Sequence, residues 1–323
     1  MALVTLPTDI GFVGLGNMGL PMFSNLTRKL PSSSTVHFYD VSSETMEKSL
    51  KESGAACRLN PCSNAREVAE KSDFLISIVP EGQHVRAVYL TPETGVLAAS
   101  DLSGKILVDS STIDTATSLQ VGEETQKRHP KAFFYDGPVS GGVSGAAQGT
   151  LTIMLGCPTT DTHLPLLSAV FLLMASNVVP CGGPSLGLTA KLCNNYLSLT
   201  ISLANAEMYN MAIKSGMDPR LLQSILKIST GSSRNNEQQN PVPGLSPGTP
   251  ASKGYKGGFK IEYVKKDMGL AIEAAKRVGA KICIGPSVRE SYMEAAEDPR
   301  CAGLDAKVVY RWLGGDEEWA EKL

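Results

Sequence analysis

At 323 residues the chain exceeds what one compact core holds and is of a size for about two domains. A net charge of −2, with no Lys/Arg-rich block, excludes a global field for nucleic acid or anionic membrane. Apolar residues make up 42%, the ordinary share for a globular protein, and no run of 18 or more apolar residues forms a spanning helix. Met1–Thr8 is too short and too poor in arginine for a transit peptide. A cytoplasmic protein is therefore expected, with the mitochondrial matrix as the alternative if a presequence precedes these residues.

Short apolar runs predict strands at Ile10–Gly14, Thr35–Val41, Phe74–Val79, Lys105–Asp109, Phe133–Asp136, Thr150–Leu155 and Val178–Cys181. Helical patterns fill the intervals, for example Met18–Lys29, Ser63–Lys71 and Thr115–Arg128. This alternation predicts a mainly parallel sheet covered on both faces, an α/β doubly wound domain of the Rossmann type. After Gly183 the strands stop. A long helix is expected from about Ser185 to Lys214, ending at Gly216, and another after the Asp218-Pro219 cap. Further helices are expected at 261–278, 286–297, 305–313 and 317–322. The expected domains are therefore residues 1–183 and an all-α unit, 184–323, joined by the long helix; clefts between domains are favoured ligand sites. The segment Asn240–Gly258, with four prolines and five glycines, cannot be regular, and a loop of that length is either functional or disordered.

The first strand feeds a GxGxxG turn, Gly14-Leu15-Gly16-Asn17-Met18-Gly19, which opens a helix. The three glycines serve a tight turn, the approach of a pyrophosphate, and close packing of helix on strand. Asp40 closes the second strand 21 residues after Gly19, where a carboxylate accepts from ribose hydroxyls and repels a 2′-phosphate. No arginine or lysine stands in Val41–Glu44 to hold such a phosphate, so NAD is expected rather than NADP. The turns at Val79-Pro80 and Asp109–Thr112 close two further strands and are expected along the same crevice. Ser140-Gly141-Gly142 could offer a hydroxyl and backbone N–H groups to an anion, or be a plain flexible turn.

Gly183, Gly187, Lys191 and Asn195 recur every fourth residue and read as one stripe up a helix. The glycines would let a backbone or a ligand come close, and a buried lysine beside them is unusual. Cys193 reads as a packing residue. The seven cysteines form no CxxC pair or Cys/His cluster of zinc spacing, so free thiols and no metal are expected.

Five segments in order, GLGNMG at 14–19, DSSTID at 109–114, GPVSGG at 137–142, GLTAKLCNN at 187–195 and KKDMGLA at 265–271, resemble the β-hydroxyacid dehydrogenases. Asn240–Gly244 and Tyr255–Phe259 are similar to the branch that acts on 3-hydroxyisobutyrate. The resemblance implies NAD-dependent oxidation of a small 3-hydroxy acid, as in valine breakdown, by a dimer or tetramer. It implies Lys191 as general acid/base, with Asn195 orienting the substrate and Ser140, Gly141 and Gly142 holding its carboxylate. Val79, Pro80 and Thr112 would line the nicotinamide, and Lys266 would close over the cofactor. His84 and Arg234 depart from the family pattern, where asparagine and tryptophan are usual. A semialdehyde or glyoxylate reductase, or a 3-hydroxypropionate dehydrogenase, of the same family is the first alternative; a scaffold without catalysis fits less well, since Lys191 and Asn195 are present and a basic arm is not.

Overall fold

The computed structural model describes residues 4–322; Met1–Leu3, part of the stretch read above as no transit peptide, and Leu323 lie outside them. The chain separates into two compact units, up to Lys191 and from Leu192 onward. In the first unit, strands and helices alternate: β1 (Asp9–Val13), α1 (Gly19–Lys29), β2 (Thr35–Tyr39), α2 (Ser43–Glu52), β3 (Arg58–Pro61), α3 (Ala65–Lys71), β4 (Phe74–Ser77), α4 (Gly82–Leu90), β5 (Ile106–Asp109), α5 (Thr115–Arg128) and β6 (Phe133–Asp136). These six strands form one parallel sheet in the order 3-2-1-4-5-6, with the reversal of direction between β1 and β4. Ligands bind outside the carboxyl ends of such strands at that reversal.

Period-two patterning explains the sheet's two dry faces. Ile10 and Phe12 of β1 point to a core with Phe23, Phe38 and Ile76, where Phe12 and Phe23 meet edge to face at 5.6 Å. Val13 points to the opposite face with Val68, Leu75, Leu107 and Val121. The edge strand β3 was not legible in the sequence. Its residues Arg58-Leu59-Asn60-Pro61 neither alternate nor bury deeply, and only an edge tolerates the proline.

The single sheet expected from the sequence is in fact two. The chain continues into β7 (Val139–Ser140), α6 (Gly142–Gln148), β8 (Leu151–Leu155), α7 (Leu164–Phe171) and β9 (Ala175–Pro180). β7, β8 and β9 make a separate three-stranded sheet, in which β7 and β8 pair antiparallel and β8 and β9 parallel. Only Gly137 and Pro138 separate β6 from β7, too few residues for the crossover that another parallel strand of the first sheet requires.

α8 (Leu186–Lys214) is one continuous helix, followed by Gly216 at φ +83°. α9 (Pro219–Lys227) starts at Asp218, whose carboxylate accepts from the Arg220 amide at 2.8 Å. α10 (Arg234–Gln238), α11 (Glu262–Arg277), α12 (Gly285–Glu297) and α13 (Val309–Trp312) complete the second unit. Its core gathers Leu203 and Tyr209 of α8, Val264 and Met268 of α11, and Val288 and Tyr292 of α12. The expected helix at 317–322 is a single 3-10 turn, Trp319–Glu321.

Asn240–Gly258 is neither disordered nor an open flap. Its one helical piece is a 3-10 segment, Ala251–Lys253, yet Asn240, Val242, Ala251 and Tyr255 are buried. The Tyr255 hydroxyl donates to Pro241 O at 2.9 Å, and Trp319 Nε1 donates to Pro243 O at 2.9 Å. One side chain of the segment itself and one from further along the chain thus satisfy carbonyls that a proline-rich backbone cannot pair along a ladder.

Candidate active site

The glycine turn has the geometry its sequence requires. Gly14 stands at φ +97°, and a Cβ there would overlap the Ile78 carbonyl. A Cβ on Gly19 would overlap the Gly14 carbonyl, so both positions admit hydrogen alone. Gly16 differs: nothing lies within 4 Å of where its Cβ would be, and Gly16 and Asn17 are exposed. That is an open cradle of backbone at the mouth of a helix, the fit a pyrophosphate needs. Leu15 is buried and Met18 half-buried.

Asp40, just past β2, binds this turn. Its Oδ2 accepts from the Leu15 amide at 2.6 Å and its Oδ1 from the Ser42 amide at 2.8 Å. The carboxylate is therefore oriented beside the glycine turn, with lone pairs left for further donors.

A buried network ties the next two strand ends. The Ser77 and Ser111 hydroxyls both donate to Asp109 Oδ1, at 2.8 and 2.7 Å, and Ser77 also meets the Tyr89 hydroxyl at 2.9 Å. The Val79 amide donates to Ser111 Oγ at 2.9 Å. Asp109 is 1% exposed, and burial pushes its carboxyl up to about 6. Val79 is thus tied at the carboxyl edge to Ser111, the residue before Thr112. His84 on α4 is exposed.

Ser140 ends β7, and Gly141 and Gly142 follow at φ +134° and +64°, all three at least partly open to solvent. Successive N–H groups in such a turn converge on an anion.

Lys191 lies in the second turn of α8 and is half-buried. The expected four-residue stripe is shorter than read. Pro184 and Ser185, the latter at φ +65°, break the chain before Leu186, so Gly183 lies outside the helix. Gly187 does admit a close neighbour, but that neighbour is protein: its Cβ would overlap Met154 O. Cys193 is exposed rather than packed.

In the second unit, Asn195 Nδ2 donates to Asp267 Oδ2 at 2.7 Å, and Lys266 Nζ lies 3.6 Å from Asp267 Oδ1. Asp267 is 3% exposed. One buried carboxylate therefore binds Asn195 directly and forms a longer ion pair with Lys266. Arg234 opens α10, exposed, with its Nε donating to Gln238 Oε1 at 3.0 Å.

The family profile described as "NAD binding domain of 6-phosphogluconate dehydrogenase" matches residues 9–183, and "NAD-binding of NADP-dependent 3-hydroxyisobutyrate dehydrogenase" matches 186–313. The mitochondrial 3-hydroxyisobutyrate dehydrogenase of Mus musculus is 38% identical over 285 residues, 88% of this chain and 81% of that protein. The chain belongs to the 3-hydroxyisobutyrate dehydrogenase family. Membership extends to bacteria: the Pseudomonas aeruginosa 3-hydroxyisobutyrate dehydrogenase is 35% identical over 96% of this chain and all of its own length. A solved family structure, the Mycobacterium tuberculosis enzyme with L-serine, superposes with a TM-score of 0.84 at 31% identity, over 96% of this chain and 99% of that one. No helix among the described residues is long and apolar enough to cross a membrane, and none of their His, Cys, Asp and Glu side chains group as a metal site.

Three carboxylates, Asp109 and Asp136 in the first unit and Asp267 in the second, carry roles that sequence reasoning missed. A signal existed for Asp267. It stands on the stripe Val264, Asp267, Met268, Ala271, the buried face of α11, where a charge demands a partner. Asp109 and Asp136 each close an apolar strand, ILVD and FFYD, which places them at the carboxyl edge without naming what they bind.

Proposed function

We propose that the protein oxidises 3-hydroxyisobutyrate to methylmalonate semialdehyde with NAD, and that Lys191 is its general base. The observation that carries this reading is the position of Lys191. Its helix begins bonded to Asp136 at the end of β6, at the carboxyl edge of the same sheet whose glycine turn and Asp40 make a dinucleotide cradle. When bound there, NAD supplies the hydride acceptor. Gly14–Gly19 would hold its pyrophosphate, Asp40 its adenosine ribose, and Val79, Pro80 and Thr112 its nicotinamide half, with Lys266 closing over it. Ser140, Gly141 and Gly142 would hold the substrate carboxylate. Asn195, its Nδ2 committed to Asp267, offers Oδ1 to orient the substrate.

Lys191 takes the hydroxyl proton as hydride leaves the carbon. A free lysine, with a pKa of about 10.4, keeps its proton at neutral pH. Partial burial favours the neutral amine that a base requires. In reverse, the ammonium returns the proton to the forming alkoxide.

Residues 1–183 are proposed as the NAD-binding domain and 184–323 as the helical substrate and assembly domain. A homodimer or tetramer is part of the proposal. Leu197 and Met211 of α8 and Ile228 beyond α9 are 57%, 66% and 87% exposed, apolar surface suited to a second copy. The proposed compartment is the cytoplasm, with the matrix as the alternative suggested by the mitochondrial relatives. The deciding assay follows NAD and NADP reduction with 3-hydroxyisobutyrate, 3-hydroxypropionate, serine and glycerate. The highest kcat/KM is expected for NAD with 3-hydroxyisobutyrate. A preference for NADP refutes the Asp40 argument, and turnover confined to another acid refutes the substrate.

A further inference from the structure

The start of α8 is held by a carboxylate 49 residues away. Asp136, at the end of β6, is 2% exposed; its Oδ1 accepts from the Ser185 amide at 2.7 Å and its Oδ2 from the Leu188 amide at 2.8 Å. Serine before a helix ordinarily caps it with its own hydroxyl. Here the Ser185 hydroxyl turns away, 3.4 Å from Thr115 O, and the residue sits at φ +65°, a conformation serine pays strain to adopt. The surroundings are cut to admit the carboxylate. A Cβ on Gly156 would overlap Oδ1, and one on Gly187 would lie 2.8 Å from Oδ2. Asp109, its register neighbour on β5, and the thiols of Cys157 and Cys181 are the titratable groups that interact with it.

We infer that Asp136 is the positioning residue for Lys191: it caps α8 from the sheet, fixing where the lysine's stretch of helix stands, and its charge offsets the positive end of the helix that carries the lysine. This rests on the reading of Lys191 as base. Two effects follow. Loss of the cap lets the first turn of α8 drift from the sheet edge. Loss of the anion leaves the start of the helix that carries Lys191 with an uncompensated positive end, which favours the lysine's neutral form.

Asp136→Asn keeps the shape but replaces one acceptor with a donor facing an N–H. In the full chain, kcat is expected to fall about tenfold while NADH affinity by fluorescence stays within about twofold. The acidic limb of the kcat–pH profile should move to lower pH, which a purely structural defect would not do. Wild-type kcat and an unmoved limb overturn the inference. If Asp136→Asn does not fold, Gly187→Ala keeps the carboxylate but forces a methyl group against Met154 O; the same loss of kcat is expected, and wild-type turnover overturns the inference. In the unaltered protein, the Ser185 and Leu188 amides should exchange with deuterium as slowly as strand amides, and exchange at loop rates overturns it. The base reading fails separately, by full turnover in Lys191→Ala.

Discussion

The two units fix their functional groups by different means. In the first, the groups are backbone amides and short side chains at strand ends, held by turns whose conformation only certain residues reach: Gly14 at φ +97°, Gly141 at φ +134°. In the second, they are long side chains on helices, held by one carboxylate across 72 residues of sequence, Asp267 to Asn195. Local geometry writes itself into local sequence, whereas a side-chain tether writes only an isolated charge on an apolar face.

The sharpest break in this comparison comes at α8, where Lys191 closes the first unit. Lys191→Ala should lower kcat by about 10²–10⁴-fold with NADH affinity near normal. Turnover close to wild type would remove the lysine from the chemistry and leave the first unit a binding module. Next in size is Gly14→Ala, which sets a Cβ into the Ile78 carbonyl at a positive φ. It should cost roughly 3 kcal/mol of stability in urea unfolding and weaken NADH binding. A neutral result would mean that the turn does not depend on glycine.

Asp109 offers a pH test. Its folded carboxyl titrates at about 6, above the unfolded value of about 3.9. The native state therefore holds this proton more tightly, so its contribution is fully present below pH 4, falls as pH rises to 6, and is flat beyond. Asn at this position still accepts both serine hydroxyls through Oδ1. Urea midpoints from pH 4 to 7.5 should show Asp109→Asn gaining on wild type by up to about 3 kcal/mol over that window. Parallel profiles would place Asp109 in contact with solvent. The smallest effect belongs to the second unit. Asp267→Asn should raise KM for the hydroxy acid about tenfold and lower kcat less, since it loosens Asn195 without touching the base. A larger effect on kcat than on KM would make the tether part of proton transfer.

Legibility followed the same division. The GxGxxG turn, Gly216 and the Asp218-Pro219 cap were readable because each meets a demand of its own few residues. β3 was not, because an edge strand needs no apolar alternation. The second sheet was not, because splitting depended on two residues, Gly137 and Pro138, too short a link for a crossover. Asn240–Gly258 was read as active or disordered because its partners Trp319 and Asp305 lie more than 40 residues further on; the Asp305 carboxylate receives the Phe259 amide at 2.8 Å, at the segment's edge. Asp136 was visible as a strand end, but no local pattern ties it to Ser185 and Leu188.

That late-arriving indole has a consequence during synthesis. The Pro243 carbonyl finds its donor only when Trp319 has been added, and the ring of Tyr255 meets the Arg311 guanidinium at 5.1 Å. On a ribosome the nucleotide-type unit can therefore close while the helical unit is still incomplete. Arrested nascent chains that stop before residue 311 should resist protease through the first unit and be cut freely between 240 and 258.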